Sequence, residues 1–275
     1  MGETDAGRAA VDGGEIAWWA RGDGPPVLAI QGVGIPGTGW LPQVEGLGDR
    51  FRFAWYDNRG LGETNASLDG LSIERLAADG LAVLDAQGVD RAHVVGHSMG
   101  GLIAQAVALA APERVASLAL LCTFAKGSQG ARVDLGTISF GLRMNVGTRA
   151  MRRRAAVQLV YPDGYLDGVD FDALHEELSR YFGRDMADQP KCAMKHVRAM
   201  GAYDPSPRIP EVAHLPTLVM TADGDRIAKP EFTRELAASF GVEPIVLEGS
   251  GHACTIQQVD DVNARLAAHW DAHPI

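Results

Sequence analysis

One hexapeptide, Gly96-His97-Ser98-Met99-Gly100-Gly101, restricts the fold of this chain more than any other feature. It follows the apolar run 93–95 and precedes residues 102–111, which have an apolar helical pattern ended by Pro112. In such a strand–turn–helix setting, G-x-S-x-G places its serine on a strained turn with the hydroxyl raised above the sheet edge. Glycines are needed beside it because side chains there would strike the neighbouring strand and helix. The bland alternative is an ordinary strand–helix turn; the setting favours Ser98 as a nucleophile.

The surrounding pattern supplies a sheet for this turn. Short apolar runs at 27–30, 53–56, 93–95, 118–121, 217–220 and 244–247 read as buried strands. Helical periodicity fills 72–87, 102–111, 232–240 and 259–270. Alternation of this kind predicts an α/β fold with a mostly parallel central sheet flanked by helices. Residues 126–211 break the alternation. They contain helical pieces at 169–182 and 192–202, set off by Pro162, Pro190, Pro205, Pro207 and Pro210, and no convincing strand. Residues 1–125 and 212–275 are therefore expected to form the core, and 126–211 a helical cap.

Composition removes several classes of function. A chain of 275 residues fits one large domain carrying an insertion. Its net charge of −10 argues against a nucleic-acid partner, which would require a basic footprint. No uncharged apolar run reaches the ~18 residues of a membrane span. Residues 1–12 are polar and lack the basic and apolar regions of a secretory leader. Cys122, Cys192 and Cys254 are an odd number with no CxxC spacing, so neither a disulfide framework nor a zinc knuckle is expected. The expectation is a soluble cytoplasmic protein without a membrane partner; a homodimer is left open.

A serine hydroxyl needs a base within hydrogen-bond reach. Of eight histidines, His252 stands apart: Gly249-Ser250-Gly251-His252 follows the last strand, at the sheet edge where functional groups of α/β proteins gather. His93 reads as structural, and His97 as adjacent to Ser98 but pointing elsewhere. His175, His196 and His214 fall in or beside the cap, and His269 and His273 at the C-terminal end. A carboxylate must hold the base. Asp223 and Asp225 both follow the strand at 217–220; one is the partner and the other a turn former, with Asp225 favoured. Two backbone amides should face a developing oxyanion, that of Met99 and one from Gln31-Gly32-Val33-Gly34, where Val33 is the choice. No phosphate-binding glycine pattern is present, and neither cofactor nor metal is expected.

These residues together resemble the α/β-hydrolase superfamily over nearly the whole chain. The similarity is carried by Gln31-Gly32-Val33-Gly34, Asp57-Asn58-Arg59-Gly60-Leu61-Gly62, the Ser98 hexapeptide, Pro112-Glu113-Arg114-Val115, Asp225 and Gly251-His252. It points to the capped bacterial esterases, enol-lactonases, carbon–carbon hydrolases and polyketide methyl esterases. Asp225-Arg226-Ile227 with Pro230 is similar to the family's acid loop, and the order Ser…Asp…His matches its triads. The family commonly has His-Gly where this chain has Gln31-Gly32. Serine at position 98 disfavours the branches that use a carboxylate nucleophile.

The resemblance implies a cofactor-free serine hydrolase acting on a small-molecule ester or lactone through an acyl-enzyme. Carbon–carbon bond hydrolysis, a non-hydrolytic or oxidant-using reaction on the same triad, and ligand binding on a hydrolase fold are the alternatives. Gly34, Trp40 and His97 are the candidates for the substrate pocket. Phe140, Met144, Tyr161, Tyr165, Tyr181, Phe182, Met194, Met200 and Tyr203 are the cap's large side chains, of which two or three are expected to face it. Arg149, Arg152, Arg153 and Arg154 read first as solvated or acid-paired, and second as an attractor for an anionic substrate.

Overall fold

A computed structural model of the protein describes residues 3–131 and 135–275, the side chains of 135–138 excepted. Its strands are β1 (Thr4–Val11), β2 (Gly14–Arg21), β3 (Pro26–Ile30), β4 (Arg52–Tyr56), β5 (Ala92–His97), β6 (Val115–Leu121), β7 (Thr217–Ala222) and β8 (Ile245–Leu247). They form one sheet in the order β1-β2-β4-β3-β5-β6-β7-β8. From β4 through β8 every pairing is parallel, and these are the strands expected from the sequence. Every residue of β5 and of β6 is buried, as expected of parallel strands covered on both faces.

The antiparallel hairpin β1–β2 was not expected. Residue Gly13, at φ +80°, closes its two-residue turn with Asp12. Asp-Gly is a strong hairpin signal. Only Ala9 of β1 is buried, so this edge strand lacks the alternating apolar pattern by which strands are read.

Helices α1 (Leu41–Leu47), α2 (Ile73–Ala86) and α3 (Met99–Ala110) pack within the first half of the fold. The α3 helix is apolar on all sides and buried from Met99 through Leu109, which makes it a core element rather than a surface one. Between β6 and β7 lie α4 (Gly127–Gly130), α5 (Leu135–Asn145), α6 (Arg149–Val160), α7 (Phe171–Phe182) and α8 (Ala193–Gly201). No strand occurs among the described residues of this insertion. Thr148 and Asp170 cap α6 and α7 through their side chains, and Gly183 ends α7 at φ +63°. Val157, Leu174, Leu178 and Phe182 build a second hydrophobic cluster that reaches Ala253 of the core. The chain ends with α9 (Pro230–Phe240), α10 (Cys254–Gln257) and α11 (Val259–Asp271). Among the described residues, no helix is long and apolar enough to cross a membrane.

Strand order reverses between β3 and β5, whose C-terminal ends therefore leave a crevice. The loop after β3 and the turn after β5 both open into it.

Candidate active site

Ser98 joins β5 to α3 with φ 57° and ψ −126°, a conformation that non-glycine residues rarely adopt. Two bonds hold it there. Its amide donates to the Leu121 carbonyl at 3.0 Å, and Thr123 Oγ1 donates to its own carbonyl at 2.6 Å. The glycines have specific steric causes. A Cβ on Gly96 would lie 2.2 Å from the Gly100 carbonyl oxygen, and one on Gly100 would lie 2.0 Å from that of Ile30. A Cβ on Gly101 would meet the Thr123 side chain at 2.4 Å. Gly100→Ala is expected to cost about 3 kcal/mol, because both colliding atoms belong to buried backbone. Urea denaturation of the two proteins measures it.

His252 follows β8, and Asp225 follows β7. His252 Nδ1 and Asp225 Oδ2 lie 2.8 Å apart. The other carboxylate oxygen, Oδ1, accepts from the amides of Ile227 at 2.7 Å and Ala228 at 2.9 Å. Burial would push the Asp225 carboxyl up, but the His252 charge and these hydrogen bonds outweigh it and hold it below the usual range. Burial likewise opposes protonation of His252, and Asp225 outweighs it, raising the imidazole above its ordinary value. Asp223 is exposed, and its carboxylate accepts from the Ser250 amide at 3.2 Å, which leaves it shaping the turn. No hydrogen bond joins Ser98 Oγ to His252 among the described residues. Such bonds are often long before substrate binds.

His97 is placed differently from the expectation. Its Nε2 lies 2.8 Å from the His252 carbonyl oxygen, and the two rings are 4.7 Å apart. It therefore braces His252 instead of pointing elsewhere. His93 is structural as expected, bonded to Ser117 Oγ at 2.8 Å.

The loop after β3 leans against the serine: a Cβ on Gly32 would lie 2.8 Å from Ser98 Cβ. The amides of Val33 and Met99 donate to no acceptor among the described residues. For Met99 this follows from its place in the first turn of α3, where amides have no intrahelical partner. Two residues tie the loop down, and neither was singled out from the sequence. Asn58 Nδ2 donates to the Gln31 carbonyl at 3.0 Å. His196, on α8, is fully buried; its Nδ1 accepts from the Gly34 amide at 3.3 Å, and its Nε2 lies 2.8 Å from the Arg59 carbonyl. This pattern needs a neutral ring protonated at Nε2, and burial indeed depresses the His196 pKa. Asp57-Asn58-Arg59-Gly60-Leu61-Gly62 was a legible motif, whereas a lone histidine in a helix carries no signal. His196→Ala would leave two buried backbone groups unpaired and should cost about 2 kcal/mol, read as a lowered urea midpoint.

Ser98 and His252 border a cavity of about 390 Å³ beneath the insertion. Gln31, Gly32, Val33 and His97 also line it. Two pocket candidates fall elsewhere. Trp40 is fully buried, 6.2 Å from Phe53 in the core, because the loop turns it away from the crevice. Gly34, at φ +67°, abuts Pro190 of the insertion and does not line the space. Among the large insertion side chains, Phe140, Met144, Phe182, Met194 and Met200 face the cavity, more than the two or three expected. Tyr161 and Tyr165 stack on each other at 4.6 Å instead. The arginine run is largely consumed by its own surroundings. Arg149 and Arg153 both pair with Asp185, and Arg154 lies over the Phe171 ring. The substrate-attractor reading of that run therefore lapses.

One cluster at the site has metal-ligand chemistry. His97, Cys122 and Cys254 bring a ring nitrogen and two sulfurs within 4.8 Å of one another, all buried.

Comparison with known proteins agrees with the fold. The family model for the alpha/beta hydrolase fold matches residues 25–257. The protein named "Putative carbamate hydrolase RutD" of Azorhizobium caulinodans is 31% identical over 224 residues, which cover 82% of each chain. The enol-lactonase from Burkholderia xenovorans LB400 superposes with a TM-score of 0.76 at 25% identity, covering 96% of this chain and 99% of its own. A thermophilic esterase from Thermogutta terrifontis shares the fold, with a TM-score of 0.77 at 22% identity over 96% and 97% of the two chains.

Proposed function

Since this chain belongs to the α/β-hydrolase family, we propose that it is a serine hydrolase that cleaves a carboxylic ester or lactone through an acyl-enzyme. The observation that carries this reading is the 2.8 Å Asp225–His252 pair, whose histidine borders one cavity with a serine held on a strained turn. Ser98 Oγ attacks the carbonyl carbon as His252 Nε2 takes its proton. Asp225 keeps the imidazole in the right tautomer and stabilises the imidazolium. The free amides of Val33 and Met99 receive the tetrahedral oxyanion; each such donor contributes about 3 kcal/mol to the transition state. The alkoxide leaves with the proton from His252. Water then attacks the acyl-enzyme, giving its proton to the same imidazole, and Ser98 is released with the acid.

The cavity favours a substrate with an apolar portion of moderate size, because phenylalanine and methionine side chains dominate its insertion side. A carbamate is the second reading, favoured by the name of the relative at 31% identity. Its carbonyl is the less electrophilic, and a small carbamate would leave most of the apolar wall uncovered.

The deciding experiment combines labelling and turnover. One fluorophosphonate adduct should map to Ser98, and butyrate or hexanoate esters should turn over faster than the matching carbamates. Binding of such esters without turnover or adduct would sink the hydrolase reading in favour of a ligand-binding protein.

A further inference from the structure

Two thiols that the proposed mechanism leaves unused meet behind the cavity wall. Cys122 is the residue just beyond β6, and Cys254 opens α10, two positions after His252. Though 132 positions apart in sequence, their sulfurs lie 3.5 Å apart, and neither residue is exposed. Ala253 and Thr255, which flank Cys254, both line the cavity, so the pair lies beside substrate space. His97 bridges the two environments. It lines the cavity, brings a ring nitrogen within 4.8 Å of both sulfurs and touches the His252 carbonyl.

We propose that Cys122 and Cys254 are a reversible thiol pair, which a hydroperoxide converts to a disulfide and which thereby arrests His252. A disulfide bond is ~2.05 Å long, so the sulfurs must close by about 1.5 Å. Cys122 is anchored at the strand end by its amide, which donates to the Met220 carbonyl at 2.9 Å. Cys254 begins a four-residue helix after a loop, and in this proposal it is the partner that shifts. Its displacement passes through Ala253 to His252, whose position relative to Ser98 sets the reaction.

The two sulfurs are also chemically unequal. The sulfur–sulfur hydrogen bond, with His97 and His252 nearby, lowers the Cys254 thiol, while that bond and burial push Cys122 up. Cys254, flanked by the cavity-lining Ala253 and Thr255, is the sulfur that a peroxide in the cavity meets first and is the attacking one. Its thiolate attacks the peroxide, the O–O bond breaks, and the alcohol (water, for hydrogen peroxide) departs with a proton. The sulfenic acid left on Cys254 is then attacked by Cys122; the S–S bond forms, the S–O bond breaks, and water leaves. Two thiols have lost two electrons, and the peroxide has gained them. An added dithiol reverses the change by exchange.

The test uses hydrogen peroxide on the full chain, followed by alkylation in denaturant and peptide mapping. Before alkylation the expected product is lighter by about 2 Da; after it, Cys192 alone carries the alkyl group and the map contains a linked Cys122–Cys254 peptide pair. Ester turnover should fall at least tenfold and return with dithiothreitol. Cys122→Ser should stop at a sulfenic acid on Cys254 that dimedone traps, and Cys122→Ala repeats this arm should the serine variant fold poorly. Sulfinic acid without a link, oxidation confined to Cys192, or a stoichiometric zinc ion protecting both sulfurs would overturn the proposal. A link that leaves turnover unchanged would overturn the arrest. That arrest rests on the hydrolase reading, whereas the peptide map does not, so the two failures are distinguishable.

Discussion

Ser98→Ala is expected to lower ester turnover by about 10⁶-fold and to abolish the fluorophosphonate adduct, while the fold survives. The loss is this large because in the proposed mechanism the hydroxyl forms the covalent intermediate; the proposed base and oxyanion amides then have no nucleophile to serve. Background hydrolysis helped by the two amides and by binding leaves a residual of about 10³–10⁴ over water. The fold should tolerate the change, since Ser98 is held by its backbone amide and carbonyl rather than by its hydroxyl. Alanine is also spared the Gly100 collision. A burst-phase assay with an activated ester separates the outcomes. A variant that keeps more than about a hundredth of wild-type turnover would assign the nucleophile elsewhere.

Asp225→Asn should cost about 10⁴-fold in kcat, while Asp223→Asn should change it by no more than a few-fold. An asparagine offers His252 Nδ1 an amide where a carboxylate stood, favouring the wrong tautomer and leaving the imidazolium uncompensated. The pH profile gives an independent reading. In the proposed mechanism the active base is neutral His252, and Asp225 raises its pKa above the ordinary ~6.5. The acid limb of kcat/KM in the wild type should therefore lie above that value. Without the carboxylate only burial acts, so in Asp225→Asn the surviving limb should shift toward lower pH. An equal loss in both variants, or a limb that does not move, would remove Asp225 from the role proposed for it.

The inner sheet and the site loops were legible in the sequence because their signals are local. Residues of the parallel strands are continuous apolar runs, and helices between them keep a 3.6-residue period. The Ser98 turn announces itself by three glycines, each excluded from carrying a side chain by a backbone or side chain within 2.4 Å. Chain order placed Asp225 and His252 at the same sheet edge. Their 2.8 Å contact also needs the loops after β7 and β8 to converge, and the bonds of Ile227, Ala228 and Ser250 in those loops arrange it.

What escaped the sequence shares one property. The outer hairpin, the His97 brace, the His196 tie and the thiol pair depend on partners distant in sequence, or on exposed strands without pattern. His196 meets Gly34 across 162 positions, and Cys122 meets Cys254 across 132. The sequence alone determined the α/β order of elements, the strained serine turn and the succession serine, aspartate, histidine, since each is written in steric and periodic rules acting over a few residues. Tertiary structure alone decided that Trp40 packs inward, that Asp185 takes up Arg149 and Arg153, and that two cysteines lie behind the base. Those outcomes depend on which surfaces the sheet, its helices and its insertion press together, and burial of distant groups against one another has no local signature.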